Sequence, residues 1–168
     1  MIDHSAITSR HSKRAFLNTP VSRQILETIL TNAGQAGSTK NTQPWEVAIL
    51  TGNTLSTLIE TMCQKFDANE FDSPDYQYSP NPFPDTFKTR ARDCGYALFD
   101  LKGIKRDDHD KRKAHSRENF ECFGAPCLMI FHLPMASEKG TFLDMGLFLQ
   151  NVMLGLTIEG LGSCPQAS

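Results

Sequence analysis

The chain has 168 residues, of which 39% are apolar, and its formal net charge at pH 7 is −2. This length predicts a single domain over residues 1–168 that buries about 70% of its unfolded surface. The near-neutral charge gives no basis for binding nucleic acid or a membrane surface. The five cysteines form no Cys-x-x-Cys pair, and an odd number of thiols without regular spacing is typical of a reduced, cytoplasmic protein. The first residues lack the cationic-then-apolar order of a signal peptide.

Apolar periodicity predicts a helix-rich chain with two strands. Apolar side chains recur at helical spacing over residues 22–35, and residues 45–51 alternate as in a strand. Residues 127–133 are almost entirely apolar, which is typical of a strand covered on both faces. Further helices are predicted at about residues 4–10, 54–66, 86–102, 106–118 and 141–160. This order predicts an α+β protein or a three-layer α/β sandwich.

The predicted helix at 141–160 is apolar nearly all round, whereas a surface helix of a small monomer has a polar half. Asp144, Gln150, Asn151 and Glu159 interrupt the segment as a membrane span, so we interpret it as a buried helix. It then either crosses the centre of the domain or is shared with a second subunit.

The longest predicted loop covers residues 67–85 and contains four of the nine prolines together with Tyr76 and Tyr78. Loops of this length inside a compact domain are usually functional or disordered. Two interpretations are open. The loop is a surface excursion, or it forms an aromatic cap over a ligand pocket.

Two short segments carry distinctive chemistry. The first, RHSKRAF at residues 10–16, places cations and a hydroxyl within five residues. Guanidinium groups form forked, charge-assisted hydrogen bonds and the serine donates another, so this segment suits a doubly charged phosphate. The second, NTQPW at residues 41–45, places two amide side chains ahead of a rigid Pro-Trp step. Amides donate and accept, so they can recognise the mixed edge of a heterocyclic ring.

Taken singly, the two segments also fit a solvated basic surface and an ordinary turn before a strand. Their combination, followed by GLGSCPQ at residues 160–166, resembles the flavin-dependent nitroreductase family. Residues 119–126 and 144–151 are also similar to this family, and the likeness is loosely closest to its nitrobenzoate-type branch. The resemblance implies a three-layer α/β/α nitroreductase-like sandwich. It also implies FMN as cofactor, NAD(P)H as co-substrate, and a homodimer with flavin at the subunit interface.

The resemblance also assigns cofactor-binding residues. Arg10, Ser12 and Arg14 are expected to bind the FMN phosphate and ribityl chain, with His11 contributing through its backbone or ring. Ser38, Thr39 and Asn41 match the segment that reaches the flavin held mainly by the other subunit. Asn119 resembles an asparagine that hydrogen-bonds the polar edge of the ring. Pro165, Gln166 and Ala167 are expected to run along the isoalloxazine, with a backbone N–H offered to N5.

Two residues beside these segments are interpreted as packing residues. Trp45 is expected to belong to the core, independently of any role of Asn41 in cofactor binding. Cys164 lies within the third segment, where a redox role is conceivable. A small buried thiol is the favoured interpretation, because free cysteine behaves as a small apolar residue.

The implied function is an FMN-dependent oxidoreductase that transfers a hydride from NAD(P)H through the flavin to nitroaromatic or quinone-type acceptors by a ping-pong mechanism. Since the flavin carries this chemistry, no catalytic side chain and no metal site are predicted. Alternatives are a dehalogenase or metabolite dehydrogenase of the same family, and a non-catalytic flavin-binding module. Relatives have a further helix, a strand and a basic pair after the segment at 160–168. We therefore expect the C-terminal portion to be missing.

Overall fold

The computed structural model describes residues 4–166. In chain order the elements are α1 (Ser5–Ser9), α2 (Arg23–Ala33), β1 (Glu46–Thr51), α3 (Gly52–Ala68), α4 (Asp85–Leu101), α5 (His109–Phe120), β2 (Cys127–His132) and α6 (Lys139–Ile158). Short 3-10 turns cover Thr39–Asn41 and Cys122–Gly124. Each predicted helix and strand is present, with its ends within about three residues of the predicted ones. The helical and strand periodicities of the sequence are therefore confirmed.

Side-chain caps explain where two of the helices begin. The Ser22 hydroxyl accepts a hydrogen bond from the backbone N–H of Ile25 at 3.2 Å, which caps the start of α2. At the start of α5, the Asp108 carboxylate accepts from the N–H of Lys111 at 3.1 Å. Each cap satisfies one of the backbone donors that lack a partner in the first turn of a helix.

The two strands pair antiparallel, with Val47 opposite Phe131 and Ile49 opposite Met129. Val47, Met129 and Phe131 pack against the hydrophobic core. Ile130, on the other face of the sheet, is 41% exposed. The expectation that residues 127–133 are covered on both faces is therefore wrong within the described chain, where the sheet has two strands and packs through one face.

The described chain divides into two compact units, which we describe separately: residues 4–58 with 122–166, and residues 59–121. The core of the first unit joins α2 to α6 and consists of Ile29, Ala33, Ala36, Met145, Phe148 and Val152. Gly155 lets the two helices approach closely, because a Cβ at this position would lie 3.0 Å from Ile29 Cγ2. The single domain over residues 1–168 stays a prediction.

Helix α6 is buried on one face only. Asp144, Met145, Phe148 and Val152 are buried, whereas Leu143 is 66% exposed and Ile158 is 71% exposed. The alternative in which this helix crosses the centre of the domain is therefore wrong for residues 4–166, and the alternative in which a second subunit shares it stays a prediction. By length and composition alone α6 could cross a membrane, a criterion that core helices of water-soluble proteins also meet.

The second unit contains the end of α3, the long loop, α4 and α5. Phe66, Phe71 and Phe120 form an aromatic cluster with ring centroids 4.8–6.4 Å apart, and this cluster anchors the start of the loop. The loop beyond Phe71 is largely exposed, including Tyr76 and Tyr78. Within its own unit the loop is a surface excursion. The aromatic-cap interpretation stays a hypothesis.

Candidate cofactor site

The first and third predicted segments lie side by side in the first unit. Ser12 and Ser163 form a parallel β-bridge, and the backbone N–H of Lys13 donates to the Ser163 carbonyl oxygen at 2.9 Å. This bridge places the stretch 10–14 alongside the stretch 161–165. The basic segment and the Cys-Pro-Gln segment, which the resemblance assigned to one cofactor, are thus neighbours.

Gly162 makes this approach sterically possible. A Cβ built on Gly162 would lie 2.8 Å from Cγ of Lys13 and 3.4 Å from the Phe16 ring, a distance to Lys13 that real Cβ contacts essentially never show. Any side chain at this position would therefore force Lys13 or the backbone of one segment to shift.

The cations of the basic segment differ in their surroundings. Arg10 is half-buried, and its Nη1 is shielded from solvent without a hydrogen-bond partner in residues 4–166. A buried guanidinium N–H without an acceptor is costly, so this atom is a suitable donor for an anionic ligand group. Arg14 is exposed. The His11 ring is exposed and contacts the Ser9 carbonyl oxygen and the Lys13 ammonium.

Cys164 lies beside this basic segment. Burial raises the pKa of its thiol, and the Arg14 guanidinium opposes part of that increase. The thiol is consequently protonated at neutral pH, the form in which cysteine is a poor nucleophile. This agrees with its interpretation as a packing residue.

The segment 38–43 is held by hydrogen bonds to its own side chains and to α6. The Ser38 hydroxyl accepts from the Gln43 N–H at 3.0 Å, and the Thr39 N–H donates to the Asp144 carboxylate at 3.0 Å. Asn41 has φ of 56°, a left-handed conformation that asparagine tolerates better than most residues. Ser38, Thr39 and Asn41 therefore belong to a tightly shaped turn.

Sequence reasoning missed the role of Asp144. It is the buried acidic residue of α6, only 6% exposed, and one of its oxygens accepts the Thr39 N–H. The sequence signal was a carboxylate in the first turn of the predicted, mostly apolar helix at 141–160, interpreted from sequence only as one of four interruptions of a membrane span. A carboxylate in such a position requires a donor, and the turn at 38–43 supplies one.

Asp144→Ala is expected to lower the free energy of unfolding by about 1–3 kcal/mol, because it leaves the Thr39 N–H without an acceptor. Asp144→Asn is the matched control, since its amide oxygen can still accept. Urea denaturation measures both. Equal losses of stability in the two variants would contradict the assignment of this hydrogen bond.

Trp45 lies directly after the amide segment and packs on α6. Its ring stacks on Phe148 with centroids 4.7 Å apart and planes 4° from parallel. Trp45 is partly buried against the core cluster, which confirms its interpretation as a core residue. The stack fixes the point where the turn at 38–43 leads into β1.

Four further residues were predicted to bind the cofactor, namely Asn119, Pro165, Gln166 and Ala167. Asn119 lies on α5 in the second unit, where its amide donates to the Ser116 carbonyl oxygen at 3.0 Å. Pro165 and Gln166 are exposed at the end of the third segment. Ala167 lies outside the described residues. The roles of all four groups in cofactor binding, like those of residues 10–14, stay predictions.

The geometry of the first unit fits the phosphate end of a cofactor. Residues 10–14 supply the half-buried Arg10, whose Nη1 has no acceptor in residues 4–166, together with a serine hydroxyl and a second, exposed guanidinium. Beside them lie residues 161–165, an irregular segment whose backbone carries polar N–H and C=O groups. Such a set can bind and orient an anion.

Comparison with known proteins agrees with these observations. The family model "Nitroreductase family" matches residues 7–168. A chloronitrobenzene nitroreductase of Comamonas testosteroni is 34% identical over 161 residues, which are 95% of this chain and 71% of that protein. A 4-nitrobenzoate reductase of Pseudomonas putida is 34% identical over 164 residues, 98% of this chain and 71% of that protein.

Solved structures agree as well. The crystal structure of the FMN-dependent nitroreductase NfnB from Mycobacterium smegmatis in complex with NADPH superposes with a TM-score of 0.91. The two are 32% identical, and the match covers 97% of this chain and 73% of that chain. The fold is therefore the nitroreductase-like α+β fold, as predicted. The chain belongs to the nitroreductase family.

Proposed function

We propose that this protein is an FMN-dependent NAD(P)H oxidoreductase. The observation that carries the proposal is the pairing of residues 10–14 with residues 161–165, together with the buried Arg10 Nη1, which has no acceptor in residues 4–166. Membership of the nitroreductase family supports it, as does the likeness to an enzyme described as FMN-dependent and bound to NADPH. When bound, FMN supplies the hydride chemistry, which no side-chain constellation of the chain needs to provide.

The chain's own residues hold and orient the cofactor in this proposal. Arg10, Ser12 and Arg14 bind the phosphate and ribityl chain through charge-assisted hydrogen bonds. Pro165, Gln166 and Ala167 run along the ring and offer it a backbone N–H. Ser38, Thr39 and Asn41 contribute from a turn that Asp144 holds in place. Asn119 hydrogen-bonds the polar edge of the flavin ring, and His11 contributes through its backbone or its ring.

Nitroaromatic compounds are the proposed acceptors, with quinones as a second class, in a ping-pong cycle. Support comes from relatives described as a chloronitrobenzene nitroreductase and a 4-nitrobenzoate reductase. A same-family dehalogenase or metabolite dehydrogenase and a non-catalytic flavin-binding module are the competing functions.

We further propose a cytoplasmic homodimer. Helix α6 carries exposed apolar side chains, and Leu143 (66% exposed) and Leu147 (47% exposed) form an apolar strip because they lie one helical turn apart. Exposed apolar surface of this kind is typical of a protein interface. A second subunit that covers this strip would also contribute its own turn at 38–43, which the family resemblance assigns to the flavin held mainly by the other subunit.

The visible spectrum of the purified protein after reconstitution with FMN tests the proposal. We expect a bound-flavin spectrum that bleaches when NADPH or NADH is added anaerobically. Adding 4-nitrobenzoate should then restore the oxidised spectrum. Parallel double-reciprocal plots in steady-state kinetics would support the ping-pong cycle.

The outcomes separate the competing functions. Flavin that binds but is not reduced by either nicotinamide would indicate the non-catalytic module. Reduced flavin that is reoxidised by a halogenated phenol and not by 4-nitrobenzoate would indicate the dehalogenase. A protein that cannot be reconstituted with FMN would contradict the proposal itself.

A further inference from the structure

The turn at 38–43 has a strained backbone. Lys40, Asn41 and Gln43 have φ angles of 53°, 56° and 46°, which lie in the left-handed region. Asparagine visits this region more readily than most residues, whereas lysine and glutamine adopt it at a cost in free energy. Such conformations persist only where the surrounding structure holds them, and they are concentrated at ligand-binding sites. The contacts that hold this turn therefore bear on its function.

Hydrogen bonds within the turn only partly account for its left-handed residues. The Asn41 N–H donates to the Ser38 carbonyl oxygen at 2.9 Å, and the Thr42 N–H donates to the Thr39 carbonyl oxygen at 3.1 Å. Bonds of this i to i+3 kind also close the commoner type I turn, which has no left-handed residue. The Ser38 hydroxyl that accepts from the Gln43 N–H can rotate about its side-chain bond, so it fits more than one turn geometry. These bonds are compatible with the observed conformation but do not select it.

Asp144 supplies an anchor from outside the turn. Its carboxylate on α6 accepts the Thr39 N–H at 3.0 Å, directly before Lys40, the first left-handed residue. Asp144 is only 6% exposed, so water competes poorly for this bond, and bonds to a carboxylate are stronger than bonds to a neutral oxygen. Beyond the other end of the turn, Trp45 stacks on Phe148, one helical turn further along α6. The buried face of α6 thus holds the chain on both sides of the strained residues.

We propose that Asp144 is a positioning residue, which offsets the backbone strain of this turn and keeps Thr39 and Asn41 in the conformation that contacts the flavin. The inference rests on the proposed function, which gives the turn its role at the cofactor. Without the bond to Asp144, the Thr39 peptide is free to rotate and Lys40 can leave the left-handed region. Asn41 then moves with it. Asp144 acts through the turn and does not touch the cofactor.

Titration of FMN into the full chain, followed by quenching of flavin fluorescence, tests this role. We expect Asp144→Ala to raise the Kd at least about tenfold, as the loss of one hydrogen bond to a charged group predicts. Asp144→Asn should raise it only about threefold, because its amide oxygen still accepts the Thr39 N–H as a weaker, neutral acceptor. Glu159→Ala is the matched control. It removes an exposed carboxylate at the other end of α6 and should leave the Kd unchanged.

Lys40→Gly separates the relief of strain from a general loss of stability. Glycine adopts the left-handed conformation without steric cost, so it removes strain that Asp144 otherwise offsets. Added to Asp144→Ala, it should lower the Kd severalfold. Lys40→Ala also removes the cation but keeps the strain, so in the same background it should recover no affinity. If Asp144→Ala does not fold, the same two substitutions are compared in the nearly isosteric Asp144→Asn chain, where Lys40→Gly should restore the Kd of the unsubstituted chain.

The outcomes distinguish this inference from the proposed function. An unsubstituted chain that does not bind FMN would contradict the proposed function, and the inference with it. If the unsubstituted chain binds FMN, an unchanged Kd in Asp144→Ala would overturn the inference alone. Equal losses of affinity in Asp144→Ala and Asp144→Asn would also overturn it. So would equal recovery by Lys40→Gly and Lys40→Ala, which would assign the effect to the lysine charge.

Discussion

Replacing Arg10 and Arg14 together by alanine is expected to weaken FMN binding at least about a hundredfold. A hydrogen bond to a charged group contributes about 1.5–3 kcal/mol, so losing two of them costs about 3–6 kcal/mol of binding free energy. Arg10 contributes the larger share, because its Nη1 is already shielded from solvent and lacks an acceptor in residues 4–166. Quenching of flavin fluorescence on titration measures the Kd.

The control for this double variant is Arg23→Ala. Arg23 is an exposed cation at the start of α2 and pairs with Glu27 at 2.7 Å. Its loss should leave the Kd for FMN unchanged. If the double variant also binds FMN as tightly as the unsubstituted chain, the assignment of residues 10–14 to the phosphate is wrong.

Phe148→Ala is expected to lower the free energy of unfolding by about 3–5 kcal/mol. Phe148 is 2% exposed, stacks on Trp45 and contacts the edge of Phe131 at 6.2 Å between centroids. Truncation would leave a cavity at the junction of α6 with both the sheet and the turn at 38–43. Urea denaturation followed by the fluorescence of Trp45, the single tryptophan of the chain, measures the loss.

Gln150→Ala provides the matched control on the same helix. Gln150 is exposed on α6, and substitutions at such surface positions usually change stability by less than about 0.5 kcal/mol. A loss below about 1 kcal/mol in Phe148→Ala would show that the Trp45 stack does not hold the core together. It would also weaken the argument that α6 positions the turn at 38–43.

The predictions for Asp144 and Phe148 both concern the buried face of α6. Asp144, Phe148 and Val152 follow one another at four-residue spacing on the buried face, so the same face that forms the core also holds the Thr39 N–H. Stability and the shape of the candidate site are thus coupled through a single helix. A destabilising change in the core of α6 should therefore also weaken cofactor binding.

Much of this protein was readable from its sequence, because the relevant signals are local. Apolar periodicity, apolar runs and the spacing of opposite charges depend only on neighbours along the chain, and together they located each helix and strand to within about three residues. The basic segment at 10–16, the amide segment at 41–45 and the GLGSCPQ segment were likewise visible as short motifs. Their order carried the family resemblance, which the family model confirms.

Contacts between segments that are distant in the sequence were not predictable from periodicity and became visible only in the tertiary structure. The Ser12–Ser163 bridge and the Asp144–Thr39 hydrogen bond, the latter spanning 105 positions, arise only when distant segments pack together. Composition alone also misjudged burial, because Leu143 on α6 and Ile130 on β2 are exposed although they belong to apolar segments. Which side of an apolar helix or strand is buried depends on where its neighbours lie, and this is a property of the fold.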